Sequence, residues 1–244
     1  MSKIWDSSSL FEPDKKLTKI EYKGEEIKSG KCICGVSLTS NHFLQPLVKN
    51  YKKIGSFVSS IFNIVNPTDY ANGLDPSLEL ESTYSNNVFQ KENEKIYFIL
   101  FENVDKEHLN ELVKCIFNTI KTEQFIVLDS IRESYFVGYS EAPELYIFNS
   151  GKDIETDNKL SKLPQPNIIS GLSAGISIYS EINQICCKIL LMVEEDFGAT
   201  KESMKLWAQY LINHKLINCD IDKAVLEANR ITEDHKSFLN LLYT

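Results

Sequence analysis

The last three residues of the chain combine three kinds of recognition chemistry. Leu242-Tyr243-Thr244 offers an aliphatic side chain, a phenol hydroxyl and the terminal carboxylate. That carboxylate has an unperturbed pKa of about 3.5, so it is anionic at neutral pH. A pocket with an apolar floor, a hydrogen-bond partner and a lysine binds all three groups, and the ending therefore predicts a peptide that another protein recognises. The alternative is an ending without function, because short motifs also arise by chance.

A second group of residues matches the nucleophile motif of the α/β-hydrolases. Gly171-Leu172-Ser173-Ala174-Gly175 is a G-x-S-x-G sequence, and Asp196 and His214 follow it in the order of a hydrolase triad. The motif requires a strand that runs directly into a tight turn and a helix, whereas Pro164 and Pro166 lie just before it. This context favours a packing surface of small residues. An α/β-hydrolase-like or nucleoside-processing enzyme that uses this segment is the alternative hypothesis.

Other reactive residue types do not form a recognisable site. Cys32 and Cys34 are two positions apart and point to the same face of a predicted strand. No nearby second cysteine pair or His-x-x-x-His sequence completes a tetrahedral metal site. The acidic run 194–196 is a conceivable site for a hard cation, although such a run is more typical of a solvated loop. Neither Gly-Lys-Ser nor Gly-Lys-Thr, the end of a phosphate-binding loop, occurs. We expect no metal, no cofactor and no enzymatic activity.

Composition and charge exclude several classes of protein. With 244 residues, of which 43% are hydrophobic, the chain is long enough to bury a core without disulfides or metals. The formal net charge is -8 and Arg132 and Arg230 are the only arginines, so we expect no nucleic-acid binding. The first residues lack the apolar run of a signal peptide, and no later stretch is long enough to span a membrane. We expect a cytosolic or nuclear protein with free thiols.

The hydrophobic pattern predicts an α/β fold. Ile96–Phe101 and Phe125–Asp129 are continuous apolar runs, typical of strands covered on both faces. Between them, apolar residues at intervals of three and four from Leu109 to Ile120 indicate a helix. Such a succession predicts two parallel strands joined by a right-handed crossover. The expected fold is a three-layer α/β/α single domain with a mainly parallel central sheet and a flexible C-terminal tail.

The rest of the chain divides into four predicted regions. Residues 1–30 are a polar N-terminal arm with at most a short edge strand, and residues 31–230 are the α/β domain. Within that domain, residues 69–93 are a variable loop insertion, with a short strand around 78–80. Residues 231–244 are a tether and docking tail. Further strands are predicted over 31–38, 144–148 and 185–193, and helices over 42–62 (broken near Gly55), over 168–182, from Thr200, and over 220–228.

Two segments of the chain match a known family. They are Gln165-Pro166-Asn167-Ile168-Ile169, followed by Leu172, Ala174 and Tyr179, and the terminal Leu242-Tyr243-Thr244. Together they resemble the proteasome assembly chaperone family. The order of predicted elements, from about residue 30 to the end, is also similar to that family, whereas the N-terminal arm and the 69–93 insertion have no clear counterpart in it.

The resemblance implies a binding protein rather than an enzyme. Such a chaperone pairs with proteasome assembly chaperone 2, and the pair binds the outer face of the assembling α-ring of the proteasome core particle. Its hydrophobic-Tyr-X ending enters a pocket between neighbouring α-subunits. On this chain, Leu242 would be the hydrophobic position, Tyr243 the tyrosine, and Thr244 the carboxylate that meets a pocket lysine. For the pairing surface we expect either Ile168–Tyr179 or the helix that carries Met204 and Trp207.

Overall fold

A computed structural model describes residues 17–27, 29–62, 84–91, 94–101, 104, 108–138, 143–152, 160–195 and 200–242. Its strands are β1 Leu17–Gly24, β2 Lys31–Gly35, β3 Lys52–Phe62, β4 Tyr84–Gln90, β5 Ile96–Leu100, β6 Gln124–Arg132, β7 Glu144–Ser150, β8 Ser161–Lys162 and β9 Cys186–Glu194. Its α-helices are α1 Leu38–Val48, α2 Leu109–Thr119, α3 Gly171–Ile182, α4 Lys201–Asn213 and α5 Ile221–Leu242. A short 3-10 helix covers Glu133–Tyr135.

The strands form one mixed sheet in the order β1-β3-β4-β5-β2-β6-β9-β7-β8. Its centre, β5-β2-β6-β9, is parallel. β1, β3 and β4 add an antiparallel meander beside β5, and β7 pairs antiparallel with β9 on the other side. The prediction of a mainly parallel sheet is therefore wrong, because it rested on the buried central strands and missed the antiparallel ones at the edges.

The strands on either side of α2 are both parallel to β2, which lies between them. β5 and β6 each pair with β2 and not with each other. The predicted crossover therefore joins strands that are separated by one position in the sheet. Hydrophobic pattern identifies a buried strand, but pairing depends on which distant segment is inserted beside it.

Two antiparallel strands replace elements that were predicted differently. The range 42–62 contains part of α1 followed by β3, where one or two helices broken near Gly55 were expected. β3 is held by hydrogen bonding to β1 on one side and to β4 on the other, and this pairing decides its conformation. β4 lies inside the predicted loop 69–93, and β1 is an edge strand of eight residues rather than a short one. The strand predicted around 78–80 lies outside the described residues.

Helices cover both faces of the sheet. On one face, α1, α4 and α5 pack with side chains of β2, β5, β6 and β9 in a cluster that includes Phe43, Trp207 and Val225. On the other face, α2 and α3 pack against the same strands through Val113 and Ile176. Because successive strand residues point to opposite faces, the continuous apolar runs of β5 and β6 supply both clusters.

The C-terminal helix is much longer than predicted. α5 continues to Leu242, whereas the sequence predicts a helix that ends near Ala228 and a flexible tail. The residues from 231 to 242 are therefore helical where a flexible tail was expected, and their role as a tether stays a prediction. Apolar periodicity fades after Ala228, but charged residues at a helical spacing, such as Arg230 and Asp234 at 3.8 Å, are compatible with an exposed helix.

Candidate functional site

The predicted docking residues follow a helix that packs firmly against the rest of the protein. α5 contacts α1 and α4 and buries Ala224, Val225 and Ala228. Near the middle of the helix, Nδ1 of His42 lies 3.1 Å from Oγ1 of Thr232, which donates to the carbonyl of Ala228 at 3.2 Å. Thr232 is the most C-terminal buried side chain that the structure describes. The first half of α5 is thereby fixed in position and in rotation about its axis.

Beyond Thr232 the helix acts as an extension that carries the end of the chain. It continues to Leu242, and at 1.5 Å per residue these last ten residues rise about 15 Å along the axis. The side chain of Leu242, together with Tyr243 and Thr244, lies outside the described residues. The assignment of Leu242, Tyr243 and Thr244 as the binding residues therefore stays a prediction, now with a helical rather than a flexible connection.

The G-x-S-x-G segment begins α3, and its serine lies apart from His214, the histidine of the predicted triad. Ser173 is fully buried, and its Oγ donates to Oδ2 of Asp129 at 2.6 Å. His214 follows α4 on the opposite face of the sheet, where its ring lies 4.2 Å from that of Tyr210. Asp196 lies outside the described residues. A methyl group on Gly175 would approach Val113 to 2.8 Å, so the small residues of the motif allow α2 and α3 to pack closely.

Two carboxyl groups occupy the edge where the parallel strands end. Glu194 accepts a hydrogen bond from Oγ1 of Thr39 at 2.9 Å, and Asp129 accepts from the backbone of Ser130 at 2.8 Å as well as from Ser173. Burial raises the pKa of Asp129, against the hydrogen bonds from Ser173 and Ser130, which lower it. Burial likewise raises the pKa of Glu194, and the Thr39 hydrogen bond opposes that rise.

This edge is where open α/β sheets bind small ligands, but here the chain's own hydroxyl groups engage the carboxyl groups. Glu194 belongs to the acidic run that the sequence offers as a cation site. The described residues contain no group of three or more His, Cys, Asp or Glu side chains arranged to hold a metal ion. In the sequence, the only sign of these two carboxyl groups is that Asp129 and Glu194 each follow an apolar run. The sequence gives no sign that Thr39 meets Glu194, 155 positions away.

Replacing Ser173 by alanine should destabilise the fold in a pH-dependent way. Burial raises the folded pKa of Asp129 above its unfolded value, so this group stabilises the fold below the unfolded pKa and loses that contribution as pH rises through the folded pKa. Without the Ser173 hydroxyl the folded pKa rises further. We expect Ser173→Ala to cost about 1–3 kcal/mol at neutral pH, and less near pH 4.5, where more of the carboxyl is protonated.

Urea unfolding at the two pH values measures this difference. Ser177→Ala is the matched control, because Ser177 is a buried serine of the same helix whose Oγ lies 2.9 Å from Oγ of Ser150 rather than from a carboxyl group. Its cost should not change with pH. An equal loss for Ser173→Ala at both pH values would contradict the assigned interaction, whereas loss of a hydrolase activity without loss of stability would support the enzyme hypothesis.

The segment that carries the family resemblance is a fixed surface feature. Asn167 donates to the carbonyls of Val137 at 2.8 Å and Pro164 at 3.0 Å, and its Oδ1 accepts from the backbone N–H of Val137 at 2.8 Å. These bonds attach the segment to the residues that follow the 3-10 helix. They leave Ile168, the next residue, largely exposed to solvent.

One of the two predicted pairing surfaces is buried within the chain itself. Met204 and Trp207 have no exposed surface, and Nε1 of Trp207 donates to the carbonyl of Leu190 at 3.3 Å. The amphipathic pattern of α4 correctly indicates a buried stripe. That stripe packs on the protein's own sheet, so Met204 and Trp207 themselves are not available to a partner, and the choice between the two pairing surfaces stays a prediction.

None of the described helices has the length and hydropathy needed to cross a membrane. No protein-family profile and no curated protein matches the sequence.

Solved structures with the same fold include several proteins linked to proteasomes. Pyrococcus furiosus PbaA, an archaeal homologue of proteasome-assembly chaperone, gives a TM-score of 0.62 at 17% identity, covering 88% of this chain and 94% of its own. P. furiosus PbaB, an archaeal proteasome activator, gives 0.59 at 10% identity, covering 91% and 98%. A Mycobacterium tuberculosis proteasome-assembly chaperone homologue gives 0.53 at 4% identity, covering 85% and 94%. Over most of its length, the chain thus has the fold of proteasome-assembly chaperone homologues.

Proposed function

We propose that this protein is a proteasome assembly chaperone corresponding to proteasome assembly chaperone 1. It pairs with proteasome assembly chaperone 2, in the cytosol or nucleus, and binds the α-ring of the core particle. The observation that carries the proposal is the fold shared with PbaA over 88% of the chain. The terminal Leu242-Tyr243-Thr244 supports it, since this ending has the hydrophobic-Tyr-X pattern that would enter a pocket between two α-subunits. No catalytic role is proposed, because the serine of the hydrolase motif is buried against Asp129.

The expected contacts of the tail make it a contributor to binding rather than the sole anchor. Burying the side chains of Leu242 and Tyr243 would contribute about 1.5–3 kcal/mol each. A charge-assisted hydrogen bond from a lysine to the Thr244 carboxylate would add about 1.5–3 kcal/mol. Loss of translational and rotational freedom opposes these gains, so the tail alone should bind with a Kd no better than about micromolar. Tighter binding requires the folded body to contact the ring as well.

The long α5 helix helps the tail and the folded body to bind the ring together. A flexible connection would have to be ordered when the tail enters its pocket, and each ordered residue costs about 1–2 kcal/mol. The helix to Leu242 is already ordered and is held to the body through His42 and Thr232. Docking of the body therefore places the tail near one location on the ring, which raises its effective concentration there.

Affinity purification from the source cells tests the proposal. The full chain is expressed with an N-terminal tag, which leaves the terminal carboxylate free, and co-purified proteins are identified by mass spectrometry. The control is the same chain with the tag at the C-terminus, where it covers the carboxylate. We expect proteasome α-subunits and the second chaperone with the first form, and about tenfold fewer α-subunits with the second. Absence of α-subunits from both preparations would refute the proposed function.

A further inference from the structure

The outer surface of α3 exposes isoleucines in a regular arrangement. Ile178 and Ile182 lie one helical turn apart on the same side and are 59% and 69% exposed. Ile168, just before the helix, is 83% exposed, and Val137, which is hydrogen-bonded to Asn167, is 52% exposed. We call these four residues the α3 face. None of these four side chains is ionisable, although Glu181 is also exposed on this side of the helix.

The residues beneath the α3 face hold it in a fixed position. The inner side of α3 buries Leu172 and Ile176 in the core, and Tyr179 packs its ring 5.6 Å from that of Phe117 on α2. At the other end, the three hydrogen bonds of Asn167 fix the backbone next to Ile168. A partner that binds this surface would therefore have little conformational freedom to remove, which favours affinity.

The α3 face has the chemistry of an interface centre. Its four side chains are apolar and each is more than half exposed, and exposed apolar patches on monomers are often functional. A specific interface buries about 800 Å² on each partner, with an apolar centre and a polar rim. The α3 face matches the apolar character of such a centre.

We propose that the α3 face is the surface at which this chain binds its partner chaperone, a second chain that presents a helix with an apolar side. This inference rests on the proposed function. Two helices that pack through such residues approach to about 8–10 Å, which the small residues Gly171 and Ala174 at the start of α3 permit.

Net charge favours a different chain over a second copy of this one. Two copies would each carry a formal charge of -8 and would repel each other, and none of the four residues of the α3 face is basic. The one acidic side chain on this side of the helix, Glu181, accepts a hydrogen bond from the backbone of Gly151. A less acidic partner meets the same apolar surface without this penalty.

The position of α3 is also compatible with simultaneous docking on the ring. α3 covers one face of the sheet together with α2, whereas α5 packs with α1 and α4 on the other face. The pairing surface and the helix that carries the tail are therefore on opposite sides of the molecule. Binding of the partner chaperone leaves α5 uncovered.

Co-expression with affinity-tagged proteasome assembly chaperone 2 from the same organism tests the assignment. The variants are Ile178→Glu and Ile182→Glu, each of which places a charge within the α3 face. Leu226→Glu is the matched control, because Leu226 is 58% exposed but lies on α5. We expect recovery of the pair to fall at least tenfold for the two α3 variants and to stay unchanged for the control. The melting temperatures of the isolated variants should remain close to that of the wild type.

Unchanged pairing of Ile178→Glu and Ile182→Glu would overturn the assignment, as would failure of the wild-type chain to pair. So would a stable wild-type homodimer in sedimentation velocity that Ile178→Glu dissociates, since the occupant would then be a second copy. Capture of α-subunits by the N-terminally tagged chain is measured in parallel. If α-subunits are still captured and the α3 variants pair as well as the wild type, the α3 face is not the pairing surface, while the proposal that the chain binds the α-ring is unaffected.

Discussion

Removal of Leu242, Tyr243 and Thr244 is expected to weaken binding to the α-ring on the order of 100-fold, equivalent to about 2.8 kcal/mol. The deletion removes the two side chains and the terminal carboxylate that are proposed to enter the pocket, while the contacts of the body remain. The fold should be unaffected, because the described core contacts of α5 end at Thr232. Binding of purified α-ring precursors by biolayer interferometry, together with a thermal melt, measures both effects.

A single-residue version separates the tyrosine from the general effect of truncation. Tyr243→Ala should account for a large part of the loss, because it removes the largest apolar group and the hydroxyl of the tail. Tyr135→Ala is the control, since Tyr135 is an exposed tyrosine in the 3-10 helix, remote from α5 in the chain. If ring binding survived the deletion and Tyr243→Ala but fell in Tyr135→Ala, the docking surface would have to be reassigned to that region.

Trp207→Ala should have the largest effect on stability, at about 3–5 kcal/mol. The indole is fully buried between α4 and the sheet, with its ring 5.8 Å from that of Phe43 and its N–H bonded to the carbonyl of Leu190. Truncation leaves a cavity and removes the hydrogen bond. Equilibrium unfolding in guanidinium chloride measures the loss, which is large relative to the 5–15 kcal/mol stability of a typical domain.

The control for this variant is Ile168→Ala, which removes an exposed side chain and should change the free energy of unfolding by no more than about 0.5 kcal/mol. The two variants should also differ in pairing, since Ile168 belongs to the α3 face and Trp207 does not. A stable Trp207→Ala protein that has lost its partner would show that Trp207 lies at the pairing surface after all.

The buried centre of the fold could be predicted from the sequence because its signals are local. The apolar runs of β5 and β6 and the regular spacing in α2 identify elements that are buried whatever their neighbours are. β3 could not be identified in this way, because its conformation depends on hydrogen bonding to β1 and β4. Such pairings join segments that are distant in the chain and leave no periodic signal of their own.

The candidate site shows the same limit. The two prolines before Gly171 are atypical of a hydrolase motif. The partner of Ser173, Asp129, lies 44 positions away, and their contact follows from the packing of α3 on the sheet. The apolar stripe with Trp207 predicts burial without telling whether the covering surface belongs to the same chain. The ending Leu242-Tyr243-Thr244 is recognisable from three residues alone. Its proposed role depends on a second protein, whose pocket cannot be predicted from this sequence.

The most direct measurement compares two full-length chains that differ only in the terminal group of Thr244, prepared by protein ligation as the free acid and as the amide. Both are titrated against purified α-rings at the same ionic strength. If the tail binds a pocket lysine through its carboxylate, the amide should bind about tenfold more weakly or worse, because a charge-assisted hydrogen bond contributes about 1.5–3 kcal/mol. Equal affinities for the acid and the amide would contradict docking through the C-terminus.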